Sequence, residues 1–501
     1  MRNTGLQAAT ARTSDNRPAT RANRAFAALL VLLGALLVDG GGASAQPTGP
    51  EGGAPLVGEA PAPMPEPAPA KRREPGEALE VYVLTFSPGD HPFYKFGHNA
   101  IYIRDPEARD PRRRDLVYNW GTFTFGDPAL LPKFLMGRFM YWLSVQSLDS
   151  TKRVYQRENR SIDIQELDLS PAQKLELKRR VDENAKQENR YYKYDYYRDN
   201  CSTRVRDMID GIVDGRLKAA SSQPARLSYR DHTLRLTADF VSVNLFLGVA
   251  MGAFIDQPIL AWDEAFIPME LQSSLRRVKL VGEDGSERPL VKSERVLLTA
   301  NRTPPLENPP VWWPHSLAAG LAFGAALFGL ARAASRKQKP ARIALGVILS
   351  VLGLVTGFFA FAFMGLWFFT DHAVAYRNEN ILLLAPWTIV LVGTGLRLAA
   401  GRAKSIHFAS KLVGAAAVSS LVAVALKLPL WFGQDNLLYL LFFVPMWGLA
   451  ALGLRELARA TPTEVPRSDE PEKPSEPGKS SKSSEQPKAE PAAPTEADAP
   501  A

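Results

Sequence analysis

The feature that most restricts this chain is a series of five apolar runs between residues 316 and 454. They fall at 316–334, 343–367, 381–397, 408–427 and 437–454, each near the roughly 20 residues that a helix needs to cross a bilayer. Hydrocarbon offers backbone groups no solvent partner, so segments of this kind are expected to cross as helices. Basic residues set their orientation. The loop "ARAASRKQKPAR" carries five and "RLAAGRAK" three, whereas "TDHAVAYRNEN" and "KLPLWFGQDN" carry one each and the exit "RELAR" two. Lys and Arg gather on the cytoplasmic side, so the residues ahead of the first span are expected outside the cytoplasm and the C-terminal tail inside. Trp312-Trp313 suits an interfacial anchor at the entry to the first span.

The N-terminus gives the same orientation independently. Arg21 and Arg24 precede an apolar run from Ala25 to Val38 that is short for a span, and Ala43-Ser44-Ala45 offers a small-residue cleavage site. Residues 1–45 therefore read as an export signal, with a retained anchor as the alternative. The Pro-, Ala-, Gly- and Glu-rich stretch 46–77 reads as an extended linker, 78–312 as an extracytoplasmic domain, 313–458 as a transmembrane domain of five helices and 459–501 as a disordered cytoplasmic tail. The formal charge of +8 lies largely in short basic clusters beside apolar runs, which suits membrane topology and anionic headgroups. No zinc finger, RNA-binding signature or continuous basic helix points to nucleic acid.

Within 78–312 the pattern is that of a mixed α+β domain. "LEVYVLTF", "HNAIYIRD" and "LVYNWGTF" suit three strands of a small antiparallel sheet. "DLSPAQKLELKRRVDENAK" predicts a helix over 171–186, with Ser170 as N-cap, Pro171 at the first position and Gln173 completing a capping box. A second helix is expected from Asn200 or Cys201 to Gly211, residues 235–268 are expected to be helical and irregular, and "RRVKLVGEDGSERPLVKSERVLL" reads as a hairpin turning at Asp284-Gly285.

Cys201 is the only cysteine. A lone thiol in an exported domain closes no internal disulfide, which leaves an inert buried residue, an intermolecular link or a reactive group. A helix N-terminus, a nearby imidazole and guanidinium groups all favour a thiolate. Cys201 follows Asp199-Asn200 at an expected helix start, with Arg204 and Arg206 close in sequence. Of the three histidines in the exported part, His91, His98 and His232, His98 opens a strand and is the best candidate base. Asn119, on the next expected strand, is the candidate to orient its ring, or else a turn residue. Asn200 and Arg204 beside the thiol, with His372, Asn378, Asn380 and Asn436 of the outer loops, are the candidate substrate contacts. The alternative for the loop residues is that they only make polar turns. No cluster has metal-ligand spacing, and no cofactor is expected.

"YKFGHNAIYIRD", "LVYNWGTF" and "YYKYDYYRDNCSTRVRD" resemble the Lnb N-terminal periplasmic domain family, and "FIDQPILAWDEAFIPMEL" and "DHAVAYRNENILLLAPW" resemble its later segments. The resemblance runs from about Val81 to Trp447, and its most specific part is "FGHNA" followed about a hundred residues later by "DNCSTR". It implies a circularly permuted papain-like domain in which a strand histidine precedes a cysteine that opens a helix. It also implies a lipoprotein N-acyltransferase of the bacterial cytoplasmic membrane, moving an acyl chain from a diacylglyceryl ester to an amine through an acylated Cys201, with His98 as base. Membrane lipids and lipoproteins would be its partners. Two rivals remain open at this point: a cysteine amidase or peptidase acting on the cell wall, and a noncatalytic membrane-anchored assembly module.

Overall fold

"EVYVLTF" forms strand β1 (Glu80–Phe86), and all but its first residue are buried because the sheet is covered on both faces. The computed structural model describes residues 74–462 apart from 124–132, 134–135, 283–284 and 429–430. The expected signal, the linker up to residue 73, the tail from 463 and Asp284 of the expected hairpin turn lie outside the described residues.

The next elements are β2 (His98–Arg104), β3 (Asp115–Thr122), β4 (Met140–Ser147), helix α1 (Leu148–Arg157), β5 (Ile162–Leu167), α2 (Pro171–Asn184) and β6 (Tyr191–Lys193). They are followed by α3 (Cys201–Asp210), α4 (Tyr229–Leu236), α5 (Val241–Ala250), α6 (Pro268–Arg277), β7 (Lys279–Val281), β8 (Glu287–Pro289) and β9 (Val291–Leu298). The expected small sheet is larger than the sequence suggests. Among the described residues seven strands pair in the order β6-β4-β3-β2-β1-β5-β9, every neighbouring pair antiparallel, while β7 and β8 form a separate antiparallel pair.

Strand alternation divides the apolar residues between two layers. Val81, Val83, Ile101, Ile103, Tyr118 and Trp120 pack with Leu177 and Val181 of α2, Val205 and Ile209 of α3, and Leu271 and Leu275 of α6. Tyr82, Leu84, Phe86, Ala100, Tyr102 and Val117 pack on the opposite face with Tyr155 of α1. The helix caps are local. Ser170 and Gln173 make the expected capping box for α2.

Among the described residues, five segments are long and apolar enough to cross a membrane. They are α7 (Trp313–Ser335), α8 (Lys339–Phe369), the segment Ile381–Ala399, α10 (Ala403–Ala425) and α11 (Leu437–Arg459), with α9 (Leu391–Ala399) forming the latter part of the third. The third span is not the continuous helix expected over 381–397. It breaks at Ala385, where φ is +54, and runs on as a 3₁₀ turn over Pro386–Val390. Pro386 has no N–H to give and cannot continue the preceding turn. Carbonyls around the break find side-chain donors: Leu383 O accepts from Trp447 Nε1 at 2.9 Å, Leu382 O from Ser419 Oγ at 2.8 Å, and Ala385 O from Thr388 Oγ1 at 2.7 Å. A broken helix at membrane depth requires such partners.

Candidate active site

Gly97 is left-handed, with φ +79, and a Cβ there would stand 2.8 Å from the Phe86 carbonyl oxygen. That turn delivers the chain into β2 with His98 opposite Phe86, and the two rings lie 5.6 Å apart. His98 Nε2 is hydrogen-bonded to Asn119 Oδ1 on β3. Since an amide oxygen only accepts, the ring carries its proton on Nε2, and Nδ1 is the nitrogen left for another partner.

The group beside it is Cys201: Cys201 Cβ and His98 Cε1 each lie 3.6 Å from one point above Gly121, and the charges of the two side chains act on each other. Cys201 is the first residue of α3. Asn200 caps the helix by accepting the Thr203 N–H at 3.0 Å, while Thr203 Oγ1 accepts the Asn200 N–H at 2.8 Å. The same Asn200 donates from Nδ2 to the carbonyls of Tyr196 and Phe266, and Ser202 Oγ donates to Ala265 O at 2.6 Å. The helix start is therefore fixed by the segment before it and by Ala265-Phe266.

On β3, two residues beyond Asn119, Gly121 makes room. β3 is bulged between Asn119 and Thr122, and Gly121 has φ +95. A Cβ at this position would lie 3.6 Å from Cys201 Cβ, 3.6 Å from His98 Cε1 and 3.9 Å from Tyr192 Oη. Bulges next to reactive groups commonly re-aim a strand; here the bulge leaves a point that the side chains of Cys201, His98 and Tyr192 surround.

The electrostatics favour an ion pair. Burial pushes the Cys201 thiol up, but the adjacent imidazole and nearby backbone N–H groups of Asn99 and Ser202 outweigh it and hold the thiol below its usual range. Burial likewise pushes His98 down, and the Cys201 charge with the hydrogen bond to Asn119 brings it above the usual imidazole value. Both shifts point to thiolate and imidazolium. His98 is half-buried and Cys201 is 8% exposed, so the pair is covered but not sealed.

An aromatic wall backs the thiol. Tyr141, Tyr192 and Phe139 share its core cluster, with Phe123 and Tyr194 packed against it, and the Tyr141 and Tyr194 rings stack at 4.1 Å. Burial, with the neighbouring Cys201 charge, pushes the Tyr192 and Tyr194 phenols well above their usual range. Two open polar clefts, of about 820 and 370 Å³, flank α3; neither includes His98 or Cys201 in its lining.

The remaining candidate residues have other partners. Arg204 makes a two-point contact with Asp199, at 2.5 and 2.7 Å, and lies 4.4 Å over the Tyr192 ring. Asn378 donates to Val249 O at 2.8 Å and Ala250 O at 2.9 Å, Asn380 donates to Val249 O at 3.0 Å, and Asn436 donates to Asn380 Oδ1 at 2.9 Å. These three form a buried joint with the C-terminal end of α5, whose orphan carbonyls need donors. None of these bonds reaches His98, Asn119 or Cys201. His372 opens the 3₁₀ turn Ala373–Ala375. Its neighbour Asp371 binds Arg138 at 3.2 Å and Lys193 at 2.8 Å, and the Asp371 N–H donates to Met136 O. Thus β6 and the segment entering β4 are fastened to the end of α8.

Sequence reasoning passed over Gly121 and Tyr192. An isolated glycine in the strand pattern "LVYNWGTF" is a bulge signal. The alternation in "YYKY" puts Tyr192 and Tyr194 on one face of a strand.

A sheet domain carrying a cysteine–histidine pair and joined to five apolar helices defines a multi-pass membrane protein with an N-terminal periplasmic domain. Residues 67–238 match the family model of the Lnb N-terminal periplasmic domain, the family that the motifs resemble, and the match includes His98, Asn119 and Cys201. Comparison with curated proteins and with solved structures gave no match to this chain.

Proposed function

We propose that this protein is a cysteine-dependent acyltransferase of the bacterial cytoplasmic membrane, which moves a fatty acyl chain from a lipid or lipoprotein ester to an amine. The observation that carries this reading is the Cys201 thiol at the start of α3, set beside an imidazole that Asn119 orients. The order in the chain, with a strand histidine ahead of a helix cysteine, is the order expected of a circularly permuted papain-like enzyme.

In the first step the Cys201 thiolate attacks the ester carbonyl, forming a C–S bond while the carbonyl π pair moves to oxygen. Collapse expels the alkoxide, which takes the His98 Nδ1 proton. In the second step a neutral amine attacks the thioester, His98 accepts its proton, and the Cys201 thiolate leaves. An ester donor stays in the bilayer, so the nucleophile must be held close to the headgroups. The Asp371 contacts to Arg138 and Lys193 support that placement, as does the joint between Asn378, Asn380 and α5. A soluble wall amidase would have no need of either.

The test is intact-mass analysis of the full chain and of Cys201→Ala after incubation with native lipids and lipoproteins. Acyl mass on the wild type alone supports transfer. Release of stem peptides from wall material, without acyl mass on Cys201, would replace it with the amidase reading.

A further inference from the structure

Tyr192 is 6% exposed, and its hydroxyl has no hydrogen-bond partner among the described residues. A buried phenol is normally satisfied, so an orphan beside a reactive thiol calls for a physical explanation. Its position supplies one. Tyr192 Oη, Cys201 Cβ and His98 Cε1 all lie within 3.9 Å of one empty point above Gly121.

The ring itself is well held. Tyr192 is paired with Tyr141 across β6 and β4, and the Arg204 guanidinium, anchored by Asp199, covers it at 4.4 Å. The hydroxyl is therefore aimed by packing and not by a hydrogen bond of its own. Donors placed in advance where charge develops, in a site that excludes water, lower barriers because they need no reorganisation.

We propose that Tyr192 is a catalytic residue whose hydroxyl donates a hydrogen bond to the oxyanion formed when the Cys201 thiolate attacks the acyl carbonyl. This role rests on the proposed nucleophilic function of Cys201. The balance is simple: the C–S bond forms, the carbonyl π pair becomes the oxyanion lone pair, and the Tyr192 proton stays on its own oxygen. When the tetrahedral species collapses, the carbonyl re-forms and the hydrogen bond weakens. The Ser202 N–H, in the first turn of α3 next to Cys201, is a backbone group that can serve as a second donor. Arg204 then acts as a positioning residue for the Tyr192 ring.

Two rates on the full-length protein in lipid vesicles test the assignment. One is the single-turnover appearance of acyl mass on Cys201 from a diacylated lipopeptide. The other is alkylation of Cys201 by iodoacetamide across pH, a displacement that generates no oxyanion. Tyr192→Phe should slow acylation by about 10²- to 10³-fold and leave the alkylation profile unchanged. It should also melt no lower than the wild type, because it removes an unsatisfied buried hydroxyl. Acylation of Tyr192→Phe at the wild-type rate overturns the proposal, as does an alkylation profile that shifts in parallel with acylation, since the hydroxyl would then be acting on the thiolate. A wild type that alkylates Cys201 but never acquires acyl mass overturns the nucleophile reading itself, and the Tyr192 role with it.

Discussion

At the scale of single residues, the chemistry depends on how two opposed shifts are balanced. Burial alone would keep Cys201 as a thiol and His98 as a neutral ring, yet their mutual attraction, the Asn119 acceptor and nearby backbone N–H groups reverse both tendencies. The sign follows directly. The thiolate is formed once the pH rises above the lowered Cys201 value, and the imidazolium is lost once the pH rises above the raised His98 value. Alkylation of Cys201 should therefore already be fast near neutral pH, and in His98→Ala its rise should move into or above the usual thiol range of about 8.5. Stopped-flow alkylation over pH 5 to 10 checks this. Asn119→Ala leaves the ring in place without its Nε2 acceptor. A lost hydrogen bond of this kind is worth about 1–3 kcal/mol, so acyl transfer should fall on the order of tenfold, with the alkylation rise displaced upward as well.

The elements that carry these residues are short, and their termini matter more than their lengths. Asn200→Ala removes the α3 cap and two further bonds to Tyr196 and Phe266. It should lower stability by about 1–2 kcal/mol, measured by thermal melting in detergent, and should also raise the Cys201 thiol value as the helix start loosens. Gly121→Ala forces a side chain onto a backbone with φ +95. Such strain is worth about 1–3 kcal/mol, and the added methyl would fill the point between Cys201 and His98. Much of this level was legible in the sequence. Ser170, Pro171 and Gln173 announced α2, "DNCST" announced α3, and the apolar strands β1 and β2 placed His98 at a strand start. β4, β5 and β6 were not legible, because "YYK" and "IDIQEL" are too short or too mixed to declare a strand without the neighbours that pair with them. The break after Leu384 was equally hidden. Pro386 marks it, but the supporting donors Trp447 and Ser419 come from two other helices.

For the molecule as a whole, the periplasmic domain is joined to its spans by buried polar groups that the sequence presents only as loop residues. Arg230 is 1% exposed and donates to Asp256 and to the carbonyls of Gly248, Met251 and Gly252, closing the C-terminal end of α5. Gln434 donates to Met251 O at 2.8 Å, and Glu379 binds both the Gln434 N–H and Lys427. Asn378, Asn380 and Asn436 belong to this joint, which explains polar residues at the heads of apolar spans without assigning them to substrate. Arg230→Leu leaves the Asp256 carboxylate buried without its partner and should destabilise the fold by about 3–5 kcal/mol, seen as a lower melting temperature and as faster hydrogen exchange in α5. The exposed pairs of Asp371 should contribute no more than about 1 kcal/mol to stability. Even so, Asp371→Ala should slow turnover of bilayer-embedded donor more than alkylation by a soluble reagent, since those pairs tie β6 and the entry to β4 to the end of α8. The most direct single measurement follows an isotopic label through the reaction. The full-length protein in vesicles is given a lipopeptide labelled in one ester-linked acyl chain, and the label is traced by mass over time. The proposed mechanism requires the label first on the Cys201 peptide, as a thioester released by hydroxylamine, and then on the acceptor amine, with neither seen in Cys201→Ala. Label reaching the amine equally well in Cys201→Ala would contradict it.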